Sequence, residues 1–328
     1  MTPKVSICCL CYNQEAYIAQ TLDSMLSQKC DFPFEILIHD DASTDNSAQI
    51  IKDYAARYPD IIKPILQTEN QFSGPVKNIS GLFNFPRAKG TYIAMCEGDD
   101  YWCDESKLAR QAAYMDAHPD CSLCLHSAWQ INSEIAVGQR IMRPYSSDRI
   151  ISPPEIITKR CAYPTASLMM RTELMQLLPD FYMHAPIGDI PMQLTMALGG
   201  YAFYMDRPMC AYRYCAPGSW TQDMYSGDYI AKQKKYADDM ARMYDEFDAY
   251  SEGRFHKEAS EAKDRLWYMT RVNIRDWNVI FDRNYSRYRK ELGLPDRIML
   301  VFERAFPKVY RRLQIYARNK ADRKRKAE

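Results

Sequence analysis

With 328 residues, 47% of them hydrophobic, the chain can bury a substantial core as one large domain or as a domain with an extension. Its net charge of +1 gives no global electrostatic case for a nucleic-acid partner, and only 12 glycines argue against collagen-like or linker-rich segments. No run of about eighteen apolar residues suggests a transmembrane helix.

The first hundred residues alternate strand and helix. Val5 to Cys11 is a continuous apolar run suited to a central parallel strand. Ile18, Leu22, Met25 and Leu26 form the stripe of an amphipathic helix. A second strand ends at Asp40-Asp41, and its helix carries Ile50, Ile51, Tyr54 and Tyr58 on one face. Ile61 to Leu66 reads as strand three. A helix with Ile79, Leu82 and Phe83 then leads to strand four at Tyr92 to Cys96. Such alternation predicts an α/β fold with right-handed crossovers and a mainly parallel sheet.

Beyond Trp102 the pattern loosens. Asp104 caps a helix containing Leu108 and Met115 that stops before His118-Pro119. Leu123 to Trp129 and Ser167 to Met170 read as strands around a polar excursion from Arg143 to Pro154. A helix from about Ile190 to Leu198 stops at Gly199-Gly200, and Tyr201 to Met205 is expected as an edge strand. From Trp220 onward helical periodicity dominates. The division expected is 1–218 for an α/β domain and 219–328 for a mostly helical extension with a basic tail. Eleven cysteines are scattered, and Cys121-Ser122-Leu123-Cys124 has no second pair at zinc-site spacing, so core packing is expected of it. Met1-Thr2-Pro3-Lys4 leads straight into a strand without a signal peptide, so a reducing cytoplasm is expected.

Chemistry concentrates in two acidic turns. Strand four breaks into Glu97-Gly98-Asp99-Asp100, and strand two ends in Asp40-Asp41-Ala42-Ser43-Thr44-Asp45. One such cluster reads equally as a polar loop capping the next helix. Two of them on the carboxyl edge of one parallel sheet, where open α/β sheets bind ligands, read as a site. Crowded carboxylates suit a hard cation, Mg²⁺ or Mn²⁺, that in turn holds substrate phosphates. The loop Leu10-Cys11-Tyr12-Asn13-Gln14-Glu15 has no glycine, which argues against a dinucleotide fold, and no G-x-x-x-x-G-K-[ST] loop occurs.

In order, Val5-Ser6-Ile7 with Tyr12-Asn13, Asp40 to Asp45, Lys77-Asn78, Ala88-Lys89-Gly90-Thr91-Tyr92-Ile93 and Glu97-Gly98-Asp99-Asp100 resemble the inverting family 2 glycosyltransferases with the GT-A fold, over residues 4 to 215. The resemblance implies a mixed, mainly parallel sheet flanked by helices and a nucleotide-diphospho-sugar donor. It implies that Tyr12 stacks on the base, with backbone near Leu10 also touching it. Asp41 would accept from the base imide N–H, with Asp40 beside it, which favours UDP- or dTDP-sugars. Lys77 and Asn78 would lie near the nucleotide. Asp99 and Asp100 would form the metal–diphosphate site, Asp100 as direct ligand and Asp99 as ligand or ribose partner. Asp189, in Pro186-Ile187-Gly188-Asp189-Ile190, would be the catalytic base. The acceptor would be a glycan or lipid-linked glycan in surface polysaccharide assembly.

Two departures stand out. Glu97 occupies a position where many relatives have Asp. Relatives also often carry a His shortly after the Tyr-Arg seen at Tyr212-Arg213, whereas this chain continues Tyr214-Cys215-Ala216, and a thiol is a poor Mg²⁺ ligand. A nucleotidyltransferase would want a glycine- and basic-rich loop after strand one. A non-catalytic nucleotide-sugar or glycan-binding scaffold would not need Asp99, Asp100 and Asp189 together. At the C-terminus Leu300, Val301, Phe302, Ala305 and Phe306 precede Lys308, Arg311, Arg312, Arg318 and the tail Lys320 to Glu328. That pattern fits either a docked helix with a basic tail or peripheral contact with an anionic membrane at the inner face of the plasma membrane.

Overall fold

The computed structural model describes residues 2–74, 77–132, 140–158, 163–214, 216, 219–313 and 315–316. The chain divides into two compact units, Met1–Lys263 and Asp264–Glu328. In the first, strand and helix alternate as β1 Val5–Cys11, α1 Ile18–Leu26, β2 Phe34–Asp40, α2 Ser47–Arg57, β3 Ile62–Leu66 and β4 Tyr92–Met95. After β4 come β5 Tyr101–Trp102, α3 Lys107–Ala117, β6 Cys121–Asn132, β7 Arg140–Met142, β8 Arg149–Ile151 and α4 Pro153–Thr158. Then follow β9 Met169–Arg171, α5 Thr172–Met175, α6 Asp180–Met183, α7 Asp189–Gly199, β10 Tyr201–Tyr214, α8 Trp220–Met224 and α9 Tyr229–Tyr250.

The strands form one mixed sheet in the order β3-β2-β1-β4-β9-β6-β10-β5, with β7 added on β6 and β8 on β10. β3, β2, β1 and β4 run parallel, and so do β6 and β10; β9 lies antiparallel between β4 and β6. β1 is buried along nearly its whole length, as a strand covered on both faces must be, and Cys8, Cys9 and Cys11 serve there as small apolar side chains. Cys121 and Cys124 are likewise free thiols buried in β6. α1 sets Ile18, Leu22 and Met25 into the same core.

Three elements differ from the sequence reading. The strand at Tyr201 is no edge: β10 runs fourteen residues, with β6 on one side and β8 and β5 on the other. Asp206, Arg207 and Pro208 hide its continuation because they form a bulge, where pairing jumps from Met205↔His126 to Cys210↔Ala128. Their charges turn outward, Asp206 accepting from Arg143 Nε at 2.6 Å and Arg207 Nε donating to Asp104 at 2.6 Å. The polar excursion from Arg143 contains β8, antiparallel to β10. The segment before β4 is a π-helical turn Ser80–Asn84 running into a 3-10 turn Phe85–Arg87, which leaves Leu82 exposed and buries Phe85.

The second unit holds most of α10 (His256–Asn273), then α11 Trp277–Ile280, α12 Ser286–Glu291 and α13 Leu294–Ala305. Its small core is Tyr268, Val272, Ile280, Tyr288 and Leu300.

Candidate active site

From β1 the chain adds β2 and β3 outward on one side, then returns to place β4 on the other. The strand order therefore reverses between β1 and β4, and the carboxyl edge at such a point is where open α/β sheets bind ligands. The two loops meet there, Gly98 N–H donating to the Leu10 carbonyl at 2.8 Å. A Cβ on Gly98 would lie 2.1 Å from Gln14 Oε1 and 3.0 Å from the Leu10 oxygen, so no larger residue fits the turn as it stands. The buried Thr21 hydroxyl, from α1, lies within hydrogen-bond reach of the Gly98 and Asp100 carbonyls, at 2.9 and 2.6 Å.

Asp100 is fully buried. Its Oδ1 accepts the backbone N–H of Arg213 at 2.9 Å, while Oδ2 has no partner among the described residues. The Arg213 guanidinium is sandwiched, 4.6 Å from the Tyr17 ring centroid and 5.0 Å from that of Tyr101, and donates to the Asp99 carbonyl and to Gln20 Oε1. Burial holds the Asp100 carboxyl well above the ordinary carboxylate range, with Asp99 and Glu97 adding to the rise and Arg213 opposing it. Burial raises Asp99 too, against its own backbone N–H and Arg213. Glu97 is pushed up to about 8 by burial, then by the charges of Asp99 and Asp189, while the Thr165 hydroxyl pulls the other way.

That electrostatic link joins Asp189 to the acidic turn. Asp189 is the first residue of α7, after Gly188 at the N-cap, and its Oδ1 accepts the N–H of Ile190 at 2.9 Å. The turn after β4 and the start of α7 thus bring Asp189 within electrostatic reach of Glu97, in the same turn as Asp99 and Asp100.

The turn after β2 is built differently. Asp40 receives the Ser43 hydroxyl at 2.5 Å and the Ser43 N–H at 3.1 Å. Asp41 receives the N–H groups of Gln71 at 2.8 Å and Phe72 at 3.0 Å, and His39 Nε2 lies 3.3 Å from its Oδ1. Burial holds His39 below its ordinary pKa, against the pull of Asp41, so at neutral pH the ring is uncharged and Nε2–H is the donor. Asn13 locks this turn to the β1 loop, accepting the Thr44 N–H at 2.7 Å. Asn13 and Ala42 both hold φ in the left-handed region, at 53° and 61°.

Tyr12 projects beside this turn, 43% exposed. Lys77 Nζ donates to the Phe72 carbonyl at 2.5 Å and sits 4.8 Å from the Phe72 ring centroid, which ties it to the loop held by Asp41. Asn78 is buried. Its amide donates to the carbonyls of Tyr182 and, at 3.2 Å, Ala185, and its Oδ1 would lie 3.2 Å from a Cβ on Gly188. Asn78 therefore braces the approach to Asp189. Sequence reasoning did not single out Arg213, Thr165 or Thr21; the only signal was an arginine among the aromatics Tyr212 and Tyr214. Of the segment after Tyr214, residues Cys215, Pro217 and Gly218 lie outside the described residues.

Among the described residues no three His, Cys, Asp or Glu side chains are grouped as a ready cation cage. The donor chemistry nevertheless fits a hard divalent ion: carboxylate oxygens crowd together, and one buried oxygen of Asp100 lacks any partner among the described residues. Two carboxylates with substrate phosphates suffice for Mg²⁺ or Mn²⁺, which keep few protein ligands.

The parallel β3-β2-β1-β4 half, its switch point and the acidic turn beyond β4 define a glycosyltransferase of GT-A architecture. Residues 6–176 match the family described as glycosyl transferase family 2, and the chain belongs to it. It is 34% identical over 222 residues to the uncharacterised protein Rv1520 of Mycobacterium tuberculosis, covering 66% of this chain and 60% of that protein. The chain thus spans about 60% of the length of that relative. Its fold is similar to that of Staphylococcus aureus TarS 1–349 in complex with UDP-GlcNAc, with a TM-score of 0.60 and 20% identity over 92% of this chain and 87% of that one. The sequence of TarS, a poly(ribitol-phosphate) beta-N-acetylglucosaminyltransferase, is 32% identical over 120 residues, covering 35% of this chain and 19% of TarS. A mannosyltransferase from Pyrobaculum calidifontis, in complex with GDP-Man and Mn²⁺, matches with a TM-score of 0.50 and 15% identity over 94% and 88% of the two chains.

Proposed function

We propose that this chain is an inverting, divalent-metal-dependent glycosyltransferase that moves a sugar from a UDP- or dTDP-sugar to a glycan or lipid-linked acceptor in surface polysaccharide assembly. The observation that best supports the reading is the fully buried Asp100, whose Oδ2 has no partner among the described residues, in an acidic turn within electrostatic reach of Asp189. Tyr12 stacks on the base, the Leu10 backbone lines it, and Asp41 accepts the imide N–H on an oxygen that keeps a free lone pair. Asp40, Lys77 and Asn78 hold the nucleotide side of the crevice in shape.

Asp189 takes the proton of the acceptor hydroxyl as that oxygen bonds to the anomeric carbon and the bond to the diphosphate oxygen breaks. One in-line displacement leaves the anomeric configuration inverted. Mg²⁺ or Mn²⁺, held by Asp99 and Asp100, would supply positive charge against the diphosphate. Arg213 holds the Asp99 carbonyl through its guanidinium and the Asp100 carboxylate through its backbone N–H. Residues 1–218 are assigned the chemistry and 219–328 an accessory role at the cytoplasmic face of a membrane.

The test is a screen of UDP-, dTDP-, GDP- and ADP-sugars for Mn²⁺-dependent hydrolysis. Turnover of a UDP- or dTDP-sugar that chelation abolishes is the result expected. Turnover of GDP- or ADP-sugars alone would remove the base assignment, and full turnover in excess EDTA would remove the metal.

A further inference from the structure

The second unit leaves apolar side chains in water on a regular pattern. Its core draws in one side of α13 through Leu300, so that residue is not part of any outward face. On the outward side Leu294, Ile298 and Val301 stand at i, i+4 and i+7, with exposures of 62, 60 and 54%. The same spacing returns in the helical stretch that follows: Val309, Leu313 and Tyr316 are 48, 53 and 68% exposed. Soluble surfaces scatter such residues singly; two stripes at helical spacing mark a face that is covered in use.

Charge decides what covers it. From Arg304 through Ala321 the sequence carries Arg304, Lys308, Arg311, Arg312, Arg318 and Lys320 and no Asp or Glu. Arg304, Lys308, Arg311 and Arg312 are exposed. A second copy of this chain would bring the same cations against themselves. A nucleic acid would satisfy the cations and leave the apolar stripes wet. An anionic bilayer surface satisfies both, taking the apolar side chains to the acyl boundary and the cations among the headgroups. No helix of the described residues is long and apolar enough to cross a membrane, so the segment lies on the surface.

We infer that α13 and the helical residues 307–313 and 315–316 form an interfacial segment that docks the protein on anionic lipid, with Leu294, Ile298, Val301, Val309, Leu313 and Tyr316 as its inserted face. The inference sharpens the membrane role proposed above and does not depend on the transferase chemistry.

The experiment is flotation of the full chain with vesicles of phosphatidylcholine alone and of phosphatidylcholine with phosphatidylglycerol. Binding to the anionic vesicles only is expected. Each Lys or Arg near such a surface strengthens binding about fivefold, so Arg311→Glu with Arg312→Glu should weaken it more than tenfold. Ile298→Glu with Val301→Glu should weaken it at least tenfold, while the melting curve and Mn²⁺-dependent donor hydrolysis stay as in the wild type. Equal binding to neutral and anionic vesicles, no binding to either, or unchanged binding by the Ile298→Glu, Val301→Glu variant would overturn the inference. So would sedimentation as a dimer that this variant dissociates. Loss of hydrolysis in the wild type would strike the proposed function and leave this result standing.

Discussion

Asp41, at the end of β2, accepts two backbone N–H groups and a neutral histidine, and Asp40 beside it is closed by Ser43. Asp100, after β4, accepts one N–H and leaves its other oxygen bare, with Glu97 and Asp99 adding negative charge around it. Both turns are short acidic segments at the same sheet edge. The first is a finished hydrogen-bond network that fixes the loop at Gln71 and Phe72. The second has fewer donors for its carboxylates, with Arg213 as a cation beside them. Satisfaction of the carboxylate, more than its presence, separates a wall from a working group.

The largest effect expected lies where the unsatisfied turn meets α7. Asp189→Asn should lower kcat about 10²–10⁴-fold with little change in donor affinity, because the interaction exists mainly in the transition state. NMR of the wild-type product should show the inverted anomer. Wild-type kcat in the variant, or retained configuration, would reduce Asp189 to a helix-terminal residue.

Next comes Asp100→Asn, where activity and stability should part company. Transfer should fall on the order of 10²–10³-fold, as when one preorganised electrostatic group is removed. The metal-free protein should melt higher than wild type, because a buried carboxyl with a bare oxygen is replaced by a neutral group. A lower melting temperature would mean that the turn is as satisfied as the one after β2.

Dependence on pH sharpens the same contrast. Glu97 is raised from the ordinary carboxylate range to about 8, and Asp99 and Asp100 are raised too. Between the ordinary range and about 8 the folded state holds more protons than the unfolded state, so metal-free stability should fall as pH rises through that window. Melting temperature against pH measures this. Mn²⁺ should flatten the curve, and Asp100→Asn should flatten it without metal.

Arg213→Met removes the stack on Tyr17 and Tyr101 and the bond to the Asp99 carbonyl. A loss of about 2–4 kcal/mol in urea unfolding is expected, along with a pH–rate profile moved upward as the acids lose a nearby cation. The smallest effect should come from Asp41→Asn. One amide group can no longer accept both N–H groups of Gln71 and Phe72, so about 1–3 kcal/mol of loop stability is lost. The donor KM should rise severalfold while kcat holds.

The satisfied parts were the readable ones. β1, α1, β2 and β4 follow from apolar runs and helical spacing, and both acidic turns follow from abrupt changes in polarity at strand ends. The acids brought together near β4 were also legible as residues. What could not be read was their support. Arg213 lies beyond a bulge whose Asp206-Arg207-Pro208 sequence looks like a strand end, and Asn78 and Thr165 act through partners distant in the chain. At Leu300 the sequence left a docked and an outward helix both open, because helical spacing alone does not say which of two apolar stripes meets the core.

Arg213 stands 113 residues from Asp100, and the match to the family ends at residue 176. The half of the sheet proposed to hold the nucleotide can close locally, β1 to β2 to β3, before the final long strand arrives. The turn after β4 gains its bonds from Arg213 only when that strand docks, a slow, long-range event. Refolding followed in time should therefore regain nucleotide binding before it regains turnover, and a chain stopped short of Arg213 should never make the second gain.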